Sequence, residues 1–288
     1  MGRSATVIAY GSLMSGLGLA ALAPLPAVDA RRVRLSGCRR GFGKLSQYGD
    51  RFAMALEATA PGAPIRAADI DAATPTDPAT GLDALALTLR IPELARVAQR
   101  EGYHADAFLA LARLAERRGA SLGVHLFAIA ESVGHDVERY RRALADAVDY
   151  ASPHYTPHPV AIDGDAPAIV FLPPGTEGSG RDDVVPIRVQ TAETRLLTFR
   201  GVWSLKPNRS QLDYAAMCLL GECHNLSLAD VLGDLRTHPP LARLVDARLA
   251  AELEAERDRF REMLCLETAH YAARFPSAPR RAAFVGGA

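Results

Sequence analysis

The sequence predicts an α+β fold, and three observations carry that prediction. Short apolar runs with β-branched or alternating residues recur at 5–10, 32–37, 52–57, 85–91 and 168–172. The block 105–150 switches to helical spacing, with Phe108, Leu109, Leu111, Ala112 and Leu114 on one stripe and Val137, Tyr140, Leu144 and Val148 on another. At 288 residues and 49% hydrophobic content, the chain can bury a substantial core as one large domain (1–288), with 105–150 as a helical insertion.

Thirty-three basic residues balance thirty-three acidic ones, so no global field draws the chain to nucleic acid or to an anionic membrane. Only Arg3 precedes the first apolar run, which breaks at Tyr10-Gly11-Ser12, well short of a signal-peptide core. Residues 17–28 are apolar but hold Pro24 and Pro26, a stretch too short and too broken to span a bilayer. The expectation is a cytoplasmic protein. Cys38, Cys218, Cys223 and Cys265 contain no Cys-x-x-Cys pair and do not make a disulfide framework. Cys218, Cys223 and His224 lack a second ligand pair, so no metal is expected there. No cysteine has a histidine and an acid in a recognisable context, which argues against a thiol nucleophile.

Taken in order, residues 5–10 form a first strand ending at Tyr10. Gly11-Ser12 then makes a turn of small residues in which backbone N–H groups can approach an anion, or an ordinary strand-end turn. Residues 32–37 form a second strand, followed by Cys38-Arg39-Arg40-Gly41-Phe42-Gly43-Lys44, a solvated basic loop or a pocket wall facing a carboxylate. In 52–57, Phe52, Met54 and Leu56 alternate as in a strand. Residues 58–83, rich in Ala, Pro, Thr and Asp and broken by Pro61-Gly62, Pro64, Pro75 and Pro78, predict a long loop or lid. A strand resumes at 85–91. Pro92 opens a helix running through Gln99, which delivers Glu101 near its C-terminal end.

The block 105–150 predicts two or three helices punctuated by Gly119, Gly123 and Gly134. Residues 152–159 hold three prolines and form a rigid connector. His154 and His158, four apart, would suit a metal on a helix, which those prolines forbid, so both are assigned to the connector. Strands follow at 168–172, 184–189 and 194–203. Helices follow at 211–221, capped by Asn208 or Ser210, and at 226–235. The segment 241–274 is a long amphipathic C-terminal helix. Its stripe of Glu252, Glu254, Glu256, Arg257, Arg259 and Arg261 suits helix packing or a homodimer contact rather than catalysis.

Four pieces in this order resemble the γ-glutamylcyclotransferase-like family, including its glutathione-specific branch. They are the apolar strand ending in Tyr10-Gly11-Ser12-Leu13; Gly37-Cys38-Arg39-Arg40-Gly41-Phe42 after a second strand; the strand and helix of 87–99 closing on Arg100-Glu101-Gly102-Tyr103; and Pro207-Asn208-Arg209-Ser210-Gln211-Leu212-Asp213-Tyr214. The resemblance covers 1–103 and about 204–225. The block 105–150 and most of 155–200 have no counterpart in it.

The resemblance implies a small closed β-barrel flanked by helices, with a substrate cavity at one mouth. It also implies a cofactor-free reaction in which the α-amine of a γ-glutamyl group attacks its own γ-carbonyl, releasing 5-oxoproline and the attached amine or amino acid. Glu101 is then the general base and acid. Backbone N–H groups around Gly11, Ser12 and Leu13 would stabilise the developing oxyanion, and Tyr10 and Tyr214 would shape the pocket. The partner implied is a small-molecule γ-glutamyl amide, and the leaving-amine pocket falls partly to the unmatched insertion. An amide hydrolase or acyl transferase on the same barrel, with Glu101 activating water or an external amine, is an alternative. A non-catalytic module binding a small acidic metabolite is another.

Overall fold

A computed structural model describes residues 4–16, 19, 28–45, 52–58, 62–70 and 82–173. Within them eight strands occur: β1 Ser4–Ala9, β2 Asp29–Ser36, β3 Cys38–Leu45, β4 Phe52–Ala58, β5 Arg66–Asp69, β6 Leu82–Arg90, β7 Thr156–Ile162 and β8 Ala168–Leu172. Four α-helices lie between β6 and β7: α1 Ile91–Arg100, α2 Ala105–Arg117, α3 Leu122–Ser132 and α4 Val137–Val148. The fold is α+β, a closed six-stranded barrel in the order β1-β6-β2-β5-β7-β8, with β3 and β4 paired as a separate hairpin.

The barrel mixes strand senses. β6 pairs antiparallel with both β1 and β2, whereas β5 and β7 pair parallel, as do β8 and β1. Register sorts the side chains into two faces, because directly paired residues point the same way. Val7, opposite Leu87, and Ala9, opposite Leu85, share a face with Ala30 and Ile169. That face belongs to one core cluster with Leu94, Val97, Phe108, Leu111, Leu126 and Tyr140 of the four helices. On the other face, toward the inside of the closed barrel, Ile8, Val33, Leu35, Ala67, Ala84, Ala86 and Val170 are buried. Its alanines fit the narrow bore that six strands leave.

The helices start where their sequences say they should. Pro92 sits in the first turn of α1, and the Glu93 carboxylate accepts from the Arg90 N–H at 2.9 Å and from the Arg90 guanidinium. Those contacts hold the Glu93 carboxyl below the usual carboxylate range. Ser121 caps α3 and Asp136 caps α4, each accepting from a backbone N–H three residues on. At Gly123 a Cβ would lie 1.8 Å from the Pro167 carbonyl oxygen, so only glycine lets α3 lie this close to the turn between β7 and β8. The helices of 105–150 therefore share the barrel's own hydrophobic cluster.

Three expectations need correction. The basic stretch 38–44 is a strand, β3, paired antiparallel with β4, and not a loop. Gly37, with φ +75°, makes the corner from β2. The proposed loop 58–83 contains β5 and the start of β6. Arg66-Ala67-Ala68-Asp69 shows no period-2 apolar signal, and its strand conformation comes from pairing with β2 across Leu35↔Ala67. The connector 152–159 gives way to β7 at Thr156, which places His158 in a strand. Pro157 and Pro159 are tolerated because odd residues of β7 turn their backbone toward β5, as Ala161 does in donating to Ile65, and that pairing begins only beyond them. The strands expected at 184–189 and 194–203, the helices after 211 and the helix 241–274 lie outside the described residues.

Candidate active site

β1 ends at Ala9, and the chain then tightens into a 3₁₀ turn, Ser12–Met14, in which Met14 N–H donates to Gly11 at 2.8 Å and Ser15 N–H to Ser12 at 3.2 Å. The N–H groups that open such a turn have no acceptor within it. Tyr10 is buried, and its hydroxyl donates to the Phe171 carbonyl at 2.7 Å, tying the end of β1 to the end of β8.

Glu101 is positioned by the way α1 stops. It is the C-cap of the helix, and Gly102 follows with φ +80°. Gly102 N–H donates to Gln99 at 3.0 Å and Tyr103 N–H to Ala98 at 2.9 Å, the paired bonds of a Schellman ending. The segment before β7 locks this corner. Tyr155 N–H donates to the Glu101 carbonyl at 3.4 Å, and the Ser152 hydroxyl lies 3.4 Å from the Gly102 carbonyl. His154 packs so closely on Gly102 that a Cβ there would come within 2.8 Å of its ring. The backbone of Glu101 is thus held from two sides.

Glu101 and the strand-end turn line one cavity. Its walls are Ile8, Ala9, Tyr10, Gly11, Ser12, Leu13, Glu101 and Phe171. The cavity holds about 20 Å³, the room of a water molecule or a single carboxylate oxygen. Five of the six residues singled out from the sequence, Tyr10, Gly11, Ser12, Leu13 and Glu101, therefore come together here. Tyr214 lies outside the described residues.

Sequence reasoning missed four contributors. Ile8 and Ala9 line the cavity because the strand end, as well as the turn, faces it. Phe171 arrives from β8, which only barrel closure brings beside β1. Arg100, next to Glu101 in the chain, donates from Nη2 to the Ser12 hydroxyl oxygen at 2.8 Å. A basic residue closing a helix is common enough to carry no signal by itself.

Among the described residues no cluster of three or more His, Cys, Asp or Glu side chains is placed to hold a metal ion. No helix among them is long and apolar enough to cross a membrane. Comparison with protein-family models, with curated proteins and with solved structures returns no match.

Proposed function

We propose that the chain is a γ-glutamylcyclotransferase-like enzyme acting on a γ-glutamyl amide, with Glu101 as general base and then general acid. The observation that supports this reading most is the shared cavity: Glu101 stands 91 positions from Tyr10 in sequence, yet lines the same small space as Tyr10-Gly11-Ser12-Leu13. The closed barrel flanked by helices is the architecture such a family would require.

In the proposed reaction the substrate's α-ammonium gives a proton to the Glu101 carboxylate, and the freed amine attacks the γ-carbonyl carbon. A C–N bond forms, closing a five-membered ring, and charge moves to the carbonyl oxygen. The N–H groups opening the 12–14 turn stabilise that oxyanion, and losing one such donor typically costs about 2.7–4 kcal/mol. The original amide C–N bond then breaks, and Glu101 returns its proton to the departing amine. No water or cofactor is consumed. Because attack is intramolecular, holding the glutamyl tail folded supplies much of the acceleration, with effective molarities on the order of 10⁵ M.

A second reading is favoured by the size of the cavity. A space of about 20 Å³ takes a carbonyl or carboxylate head more readily than a whole glutamyl group, which suits a binding module for a small acidic metabolite. One experiment separates the two. The protein is incubated with a panel of γ-glutamyl compounds and 5-oxoproline release is measured, with Glu101→Gln and Glu101→Ala as controls. Cyclisation predicts turnover that falls at least a thousandfold in Glu101→Gln while affinity stays within a few-fold. Release of glutamate in place of 5-oxoproline would identify a hydrolase. Turnover unchanged in Glu101→Gln would remove Glu101 from the chemistry.

A further inference from the structure

We propose that Arg100 is a positioning residue behind this cavity: it aims the Ser12 hydroxyl at the ligand and, through that serine and its own charge, favours ligands that carry a carboxylate beside the hydroxyl. This rests on reading the cavity as the ligand site.

Two observations carry the inference. The first is the direction of the Arg100–Ser12 hydrogen bond. A guanidinium is donor only, so at 2.8 Å the Ser12 oxygen must accept. Ser12 is buried, and its own O–H is left to turn elsewhere; the cavity it lines is the space available. A hydroxyl that accepts from a cation is polarised into a stronger donor.

The second is the other arm of the same fork. Nη1 of Arg100 is buried and makes no hydrogen bond. A charged donor desolvated without a partner is costly, and most buried polar atoms in native proteins are satisfied. The guanidinium is planar and rigid, so Nη2 at Ser12 fixes Nη1 close behind that serine. Arg100 does not itself line the cavity, so it acts through the serine: a carboxylate seated beside Ser12 takes the serine O–H on one oxygen and lies in the field of the guanidinium behind it. A neutral amide in the same place could satisfy only part of this arrangement.

Arg100 ends α1 and Glu101 caps it, so one Schellman corner fixes the backbone of both residues. Neither can shift without the other. The substrate's anionic group and its reacting amine would then be referred to the same piece of backbone.

The test is calorimetric titration of the full chain with glutarate, a plain dicarboxylate, and with its neutral diamide, glutaramide. The expected result is a preference for glutarate of about tenfold or more. Arg100→Gln should abolish that preference by weakening glutarate alone, and Arg100→Lys, which keeps the charge without the fork, should restore part of it. Ser12→Ala should lose no further affinity when combined with Arg100→Gln, because the pair acts as a unit. Equal weakening of both ligands would show a merely structural tether and overturn the proposal. So would an unchanged glutarate preference in Arg100→Gln, or failure of the wild-type chain to bind glutarate.

Circular dichroism establishes that each variant is folded, and if Arg100→Gln is not, Arg100→Lys carries the comparison. The outcome is separable from that of the reaction. An Arg100-dependent glutarate preference without 5-oxoproline release sustains this inference and removes the enzyme. Turnover with unaltered KM in Arg100→Gln does the reverse.

Discussion

Tyr103 shows how a single side chain two positions from Glu101 is governed by burial rather than by chemistry. It is among the largest fully buried side chains, stacked edge-on against Tyr150 and Phe108, and its hydroxyl has no hydrogen-bond partner. Burial pushes its phenol well above the usual range, so it stays neutral and takes no proton in the proposed reaction. A buried hydroxyl without a partner is a cost. Tyr103→Phe is therefore expected to leave stability unchanged or raise it by about 1 kcal/mol, read as a shift in the urea midpoint at constant slope. Tyr10 is the opposite case, since its hydroxyl pairs with the Phe171 carbonyl across the barrel seam. Two tyrosines of the same run of motifs thus differ in what their oxygen does, and nothing in their immediate sequence distinguishes them.

At the scale of elements, the corner after α1 is the feature on which the site depends. Gly102 needs a left-handed backbone and has His154 against it, so Gly102→Ala meets both strain and overlap. The expected loss is about 1–3 kcal/mol of stability in denaturant titration. Turnover should fall more steeply, since the substitution moves Glu101 relative to Ser12. A variant with the stability loss but full activity would show that the corner does not set the geometry. The same scale explains what the sequence made legible. Pro92 announces the start of α1 through a local rule, and the run through Gln99 puts Glu101 near its end. β5 has no such rule behind it: four residues with one inward alanine become a strand because β2 offers them a ladder.

For the whole molecule, one contribution to pH stability comes from a histidine the sequence assigned to a connector. His158 is buried in β7, its ring edge-on to Tyr140 at 4.9 Å between centroids. Its Nδ1 lies 2.9 Å from the Pro159 carbonyl. A carbonyl only accepts, so Nδ1 carries the proton and the partnerless atom is Nε2. Protonating Nε2 would create a buried charge, and burial accordingly pushes the group from an ordinary 6.5 down to about 4.

Between those values the unfolded chain binds a proton that the folded chain refuses. The contribution of His158 to stability is therefore full above about pH 6.5 and is lost as pH drops toward 4, by roughly 3 kcal/mol at most. Melting temperature measured across that range should decline, and His158→Phe, which keeps the ring against Tyr140, should remove this part of the decline. An identical pH profile in His158→Phe would assign the effect to other groups. Asp83, fully buried, is held by Arg32 at 2.7 Å and Arg34 at 3.2 Å, charges that belong to the fold and not to the cavity.

The sequence by itself determined the local pieces: the strand ending at Tyr10, the small-residue turn, the helix from Pro92 through Gln99 that delivers Glu101, and the helical character of 105–150. Each follows from periodicity or from a residue with restricted or unusual backbone freedom, and such signals act over a few neighbours. Only the tertiary structure decided that Glu101 shares a cavity with Ser12, that Phe171 closes it from β8, and that Arg100 donates to the serine. Those contacts depend on which strands pair and on how the ends of the sheet meet, a choice made by the burial and hydrogen bonding of the whole barrel at once.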